Sequence, residues 1–288
     1  MELTHLQLGI QNPEKTLPFY LEILGMEQVH TFKEESRVHH VLQFRKTGLK
    51  LELVHDKKWE QLEVYQEKRT DNYWKFSLFV ADIEGVGGEI RNKNHSIGDA
   101  YQFGDIGYLS HTKDPENHQI EFIQKTFKSK GTIPIADTDF PLKECPNFGL
   151  ITLRSTDPLK SIQFYETIFD MQVYVRMYVD RGNGFTLYFL GKKGLTPPSW
   201  DMDAIENREW MYQQKETFIE LQYYWGSEYD ANFKLEKNNP LGYRGMVFCT
   251  TAKEKLKLKL EQYRVPITTI YKGKLQLTSP DGHQIQIV

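Results

Sequence analysis

The chain has 288 residues, with 36 Lys and Arg against 39 Asp and Glu, a formal net charge of -3 and a pI near 6.3. That length holds two ordinary domains with sizeable cores, and the near-balanced charge gives no electrostatic case for a nucleic-acid partner. Two cysteines, Cys145 and Cys249, rule out a disulfide-framed secreted fold, and no run approaches the ~18 apolar residues of a membrane crossing. The opening Met1-Glu2-Leu3-Thr4-His5 lacks the basic-then-apolar plan of a signal peptide, so the cytoplasm is the expected location.

Leu3 to Ile10 alternates as a strand, with Leu6, Leu8 and Ile10 on one face and His5 and Gln7 on the other. Asn12-Pro13-Glu14 then starts a helix: Asn as N-cap, Pro where a missing N–H is harmless, Glu in the first turn. Leu17, Tyr20, Leu21 and Leu24 continue at helical spacing, and Gly25 ends the run. Three strand-like runs follow, Met26–Phe32, His39–Arg45 and Lys50–His55. A second unit begins near Trp74, with a strand over Lys75–Val80 and a short helix from Asp82.

The stretch Asp114-Pro115-Glu116-Asn117-His118-Gln119-Ile120-Glu121-Phe122-Ile123 closes that second unit, and Ser279-Pro280-Asp281-Gly282-His283-Gln284-Ile285-Gln286-Ile287-Val288 repeats it. Each is a turn feeding an apolar strand, interrupted once by an acid, Glu121, and once by an amide, Gln286. A carboxylate among apolar neighbours is costly to desolvate without a cationic partner. Residues 128–146 lack periodicity and read as a linker.

A third unit repeats the first. Asn12-Pro13-Glu14-Lys15-Thr16-Leu17-Pro18-Phe19-Tyr20 lines up with Asp157-Pro158-Leu159-Lys160-Ser161-Ile162-Gln163-Phe164-Tyr165, which marks a duplicated module. A fourth unit begins near Gly245. Its run Lys253–Glu261 alternates like a strand, yet it occupies the helix position, and Leu256 and Leu260 lie four apart, so it reads as a helix. The fold class is α+β. Four βαβββ modules, 1–73, 74–127, 147–241 and 242–288, are expected to pair in chain order as domains 1–127 and 147–288 around the linker, each with a curved mixed sheet and a U-shaped cleft.

This pattern resembles the vicinal oxygen chelate superfamily: glyoxalase I, extradiol dioxygenases, and bleomycin and fosfomycin resistance proteins. The C-terminal half, through Leu153-Arg154, Ile162-Gln163-Phe164-Tyr165, Thr186-Leu187-Tyr188-Phe189-Leu190, Phe218-Ile219-Glu220-Leu221 and Trp225-Gly226, resembles eukaryotic-type glyoxalase I. The N-terminal half resembles the compact bacterial form.

The resemblance implies a metal in each cleft, held by residues of the first and last strand of each unit. Those positions are His5, Glu52, Lys75 and Glu121 in the N-terminal half, and Leu150, Glu220, Gly245 and Gln286 in the C-terminal half. His5, Glu52 and Glu121 form a chemically valid trio for Zn, Ni, Mn, Fe or Co. The C-terminal four make a degenerate, catalytically silent site. On the glyoxalase I pattern, Glu121 or Glu52 would move a proton on a small oxygen-chelating substrate such as a glutathione hemithioacetal. Arg154 would bind a glutathione carboxylate. A protonated Lys75 cannot ligate a metal, so a second reading stands beside the first: Lys75 is the counter-ion of Glu52 and Glu121, in a non-catalytic protein that binds or sequesters a small molecule. The resemblance implies a small-molecule partner and a monomer or homodimer, with neither nucleic acid nor membrane involved. His39, His40, His55, His111 and His118 fit no zinc spacing and read as ordinary polar or half-buried histidines.

Overall fold

The computed structural model describes residues 1–45, 48–135, 138–236 and 239–288, with every side chain in them except that of residue 271. The first unit runs β1 (Glu2–Ile10), α1 (Pro13–Pro18), β2 (Glu27–Glu34), β3 (Arg37–Gln43) and β4 (Lys50–Asp56). The second runs β5 (Tyr73–Val80), α2 (Ile83–Asn92), β6 (Tyr101–Phe103), β7 (Gly107–Lys113) and β8 (Gln119–Gln124). The third runs β9 (Asn147–Ser155), α3 (Pro158–Phe169), β10 (Met171–Val179), β11 (Phe185–Lys192), an inserted α4 (Glu206–Tyr212) and β12 (Phe218–Tyr224). The fourth runs β13 (Tyr243–Cys249), α5 (Lys253–Gln262), β14 (Ile267–Thr269), β15 (Leu275–Thr278) and β16 (Gln284–Ile287). The order βαβββ thus occurs four times.

Two mixed sheets of eight strands result. One has the order β14-β15-β16-β13-β1-β4-β3-β2 and the other β10-β11-β12-β9-β5-β8-β7-β6. Within each unit the first and last strands run parallel; between units the first strands run antiparallel, β1 on β13 and β5 on β9. The sheets therefore join the first unit to the fourth and the second to the third. The grouping expected from chain order, 1–127 and 147–288, is not the grouping of the sheets. Register is repeated: Gln7 faces Glu52, Ser77 faces Glu121, Thr152 faces Glu220 and Val247 faces Gln286.

Consecutive units are held together differently, through the Pro-containing turns. Glu116 Oε1 accepts from Asn12 N–H at 2.6 Å and from Thr16 Oγ1 at 2.9 Å, at the start of α1. Asp281 accepts from Thr156 N–H at 2.9 Å and from Ser161 Oγ at 2.5 Å, at the start of α3. The turn of unit two thus caps the helix of unit one, and the turn of unit four caps that of unit three.

The segment expected to be a linker is anchored. Phe140 and Leu142 are buried, and the Glu144 carboxylate accepts from the N–H groups of Ala81 and Asp82 at the entry to α2. Its residues 136–137 lie outside the described residues. The helix from Pro13 departs from regular geometry after Pro18, where Leu24 N–H bonds to Phe19 O in a π-helical turn. A proline with no N–H and a bulky ring inside the run accounts for the wider turn. Gly25 follows at φ +79°, which favours glycine. The run Lys253–Gln262 is helical, with Leu256 and Leu260 buried and Leu258 exposed. Residues from all four units fill one continuous core. Among the described residues, no helix is long and apolar enough to cross a membrane.

Candidate functional site

Side chains that alternate away from the core line the inner faces of the two sheets. His5 and Glu52 lie on the first sheet, with Gly245 and Gln286, and Lys75 and Glu121 lie on the second, with Leu150 and Glu220. The trio His5, Glu52 and Glu121 expected to ligate a metal is thereby divided between sheets. The reason is the pairing of the first strands, which groups unit one with unit four.

The second sheet brings three charged groups together. Lys75 Nζ lies 2.5 Å from Glu121 Oε2 and 3.4 Å from Glu220 Oε2, and all three residues are buried. Ser77 Oγ donates to Glu121 Oε2 and Thr152 Oγ1 to Glu220 Oε2, each at 2.6 Å. His111 Nε2 stands 3.1 Å from Glu121 Oε1, close enough for an ion contact but not aligned as a hydrogen bond. Lys75 thus lies against Glu121 and Glu220, whereas the second reading of the sequence expects it against Glu121 and Glu52.

Burial alone would push the Lys75 ammonium down, but Glu121 and Glu220 outweigh it and hold it above its ordinary value. Glu121 is likewise opposed by burial, yet Lys75 and His111 hold its carboxyl well below the carboxylate range. Glu220 goes the other way: burial raises it, Lys75 offsets this only in part, and Glu121 adds to the rise. Two carboxyls flanking one ammonium are thereby driven apart.

Above them opens a cavity of ≈ 160 Å³, walled by Trp74, Tyr101, Phe103, Phe185, Phe189 and Tyr212 among other apolar side chains. Neither Lys75 nor Leu150 can donate an electron pair to a cation, so this cleft does not fit a divalent metal.

The cleft of the first sheet is polar. Glu52 accepts from His39 Nδ1 at 2.6 Å, an assignment of roles that follows from the carboxylate accepting only. Burial would raise the Glu52 carboxyl, but the bonds from His39 and Gln7 outweigh it and hold it below its ordinary value. Burial depresses His5, with Lys50 and Lys274 adding to the fall against Glu52. His5 Nδ1 is occupied by Thr4 Oγ1 at 3.0 Å. Gly245, at φ +152°, has no donor, and a Cβ there would sit 3.1 Å from Gln284 O and 3.2 Å from Gln7 Oε1. Gln286 Oε1 is buried without a partner among the described residues. One imidazole and one carboxylate already committed to His39 do not make a metal site. Among the described residues, no three His, Cys, Asp or Glu side chains converge as one requires.

Arg154, expected to bind a substrate carboxylate, is satisfied within the chain. Its Nη2 donates to Glu67 Oε1 at 2.6 Å, Nη1 to the carbonyls of Lys68 and Asp71, and Nε to Gln222 Oε1. Sequence reading passed over His39 and His111 as ordinary and did not single out Ser77 or Thr152. The strand repeat carries the signal for the last two, since each follows a position expected to ligate a metal by two residues and shares its face. His111 meets Glu121 only through the β7–β8 register, and His39 reaches Glu52 from the neighbouring strand β3.

Four βαβββ units paired one-to-four and two-to-three, with a cleft on each sheet, are now in place. The chain has the vicinal oxygen chelate fold. The maize glyoxalase I crystal structure superimposes with a TM-score of 0.70 at 18% identity, covering 100% of this chain and 92% of that one. In sequence, a Saccharomyces cerevisiae protein named glyoxalase I is 24% identical over 99% of this chain and 91% of its own length. A Pseudomonas aeruginosa lactoylglutathione lyase is 27% identical over 49% of this chain and 81% of its own. No family model matches the chain. In its second cleft this chain carries Lys75 and Leu150 at two of the positions where the resemblance leads one to expect metal ligands.

Proposed function

We propose that this chain is a glyoxalase-fold protein that binds a small organic molecule in the cleft of β5, β8, β9 and β12, with the Lys75 ammonium standing in place of a metal. The observation that carries the reading is Lys75 Nζ between Glu121 Oε2 at 2.5 Å and Glu220 Oε2 at 3.4 Å. One of the two positive charges that a dication would bring to these buried carboxylates is already present. The aromatic cavity above supplies apolar surface for a ligand.

A second reading, a lyase acting on a glutathione adduct, is favoured by similarity over most of the chain to a protein named glyoxalase I and to one named lactoylglutathione lyase. Against it stands Arg154, whose donors are taken by Glu67 and backbone carbonyls.

Metal analysis of the purified protein after exposure to Zn, Ni, Mn, Fe and Co tests the first reading. Wild type is expected to hold no stoichiometric metal dependent on Glu121 and Glu220, whereas Lys75→His is expected to gain affinity. A wild-type metal that disappears in Glu121→Ala would sink the proposal. Metal-free turnover of a glutathione hemithioacetal would favour the second reading.

A further inference from the structure

The floor of the second cleft is almost fully committed. The three N–H groups of Lys75 have three acceptors in reach, Glu121 Oε2 at 2.5 Å and Ser77 Oγ and Glu220 Oε2 at 3.4 Å each. Glu121 Oε2 also accepts from Ser77, and Glu121 Oε1 stands against His111. Glu220 Oε2 accepts from both Thr152 and Lys75. That leaves Glu220 Oε1, to which no hydrogen bond runs among the described residues and which is not closed off from the cavity, in a side chain that lines it. A ligand that displaces solvent from this carboxylate oxygen must replace the hydrogen bond it removes, so whatever enters is selected for supplying a donor.

The walls set the rest of the ligand. A dry cavity of about 150 Å³ takes one benzene ring, and this one, ≈ 160 Å³, is open to solvent on one side and walled by Trp74, Phe185, Phe189 and Tyr212. We propose, building on the metal-free reading of this cleft given above, that its ligand is a single-ring apolar molecule bearing an O–H or N–H that donates to Glu220 Oε1. An anionic head group is excluded, because Lys75 has no N–H left over and Glu121 and Glu220 would face it.

Calorimetric titration of the full-length protein with toluene, p-cresol and p-toluate tests this. p-Cresol is expected to bind about tenfold or more tighter than toluene, the worth of one hydrogen bond to a charged acceptor. p-Toluate is expected not to bind. Glu220→Gln should erase the advantage of cresol, because its amide oxygen is held by Thr152 and its N–H₂ faces the cavity. In wild type alone, the ranking of cresol over toluene over toluate tests the ligand class if the variant does not fold. Equal binding of toluene and cresol, or tighter binding of toluate, overturns the ligand class and leaves the metal-free cleft standing. No binding of any ring overturns the ligand class too, and the metal analysis then shows separately whether the reading of Lys75 survives.

Discussion

His118 Nε2 donates to the Leu241 carbonyl oxygen at 2.9 Å, tying the turn before β8 to the segment that leads into β13. The fourth unit returns the contact: His283 Nε2 donates to the Asn72 carbonyl, just ahead of β5, also at 2.9 Å. The two repeated turns thus form a reciprocal clasp between the sheets. Nδ1 of His118 meets Asp114 Oδ2 at 2.9 Å, and that oxygen already accepts from Tyr20 Oη. Both ring nitrogens face acceptors, which favours a hydrogen on each. Burial opposes the charge this brings, but Asp114 outweighs it and raises the group above its ordinary value, with the Leu241 carbonyl and Glu116 adding to the rise.

The clasp predicts a pH-dependent stability. A group whose folded pKa is raised contributes fully below its unfolded value, about 6.5 for histidine, and loses that contribution as pH rises through the folded value. His118→Gln should cost about 1–3 kcal/mol at pH 6, with the gap to wild type closing as pH rises. Urea unfolding of both proteins across that range measures it; a gap independent of pH would mean that His118 is neutral.

Lys75→Met should destabilise by about 3–5 kcal/mol, because it leaves two buried carboxylates without their cation. Adding Glu121→Gln and Glu220→Gln should restore most of the loss by removing the stranded charge. Denaturant midpoints of the single and triple variants decide the matter.

In α5, Leu260→Ala should cost about 2–5 kcal/mol and Leu258→Ala no more than about 0.5, since the first is fully buried and the second 67% exposed. A strand would have placed Leu256, Leu258 and Leu260 on one face, so equal losses at 258 and 260 would contradict the helix.

That helix shows what the sequence could settle. Alternation of Leu in Lys253–Glu261 suggested a strand, and position in the repeat overrode it, because a duplicated unit fixes element order more firmly than nine residues of pattern. The same repeat marked Glu121, Glu220 and Lys75 as members of clefts. It could not say which units share a sheet. Pairing depends on which first strands meet, and the meeting of β5 with β9 rests on contacts such as Phe76 stacked on Phe148, 4.8 Å between centroids. Such contacts leave no periodic trace. Lys75 was therefore given Glu52 as a partner when Glu220 holds that place. The commitment of Arg154 was equally hidden, since Glu67 lies 87 positions away in the chain.

Asp281→Ala should cost about 1–3 kcal/mol, as the start of α3 loses acceptors for Thr156 N–H and the Ser161 hydroxyl. Asp281→Asn keeps an acceptor oxygen and should recover part of it. Thermal unfolding of the pair distinguishes lost hydrogen bonds from lost charge.

The seam between β1 and β13 bears on how the chain reaches this state. Thr4 Oγ1 donates to the Val247 carbonyl across it, a contact spanning 243 positions. Closing a loop of that length carries a large entropic cost before any pairing is gained, while β5 and β9 can meet with far less chain between them. The second sheet should therefore form ahead of the first. Cleavage within 128–146 would give two fragments, each carrying half of both sheets, which become whole only by finding one another.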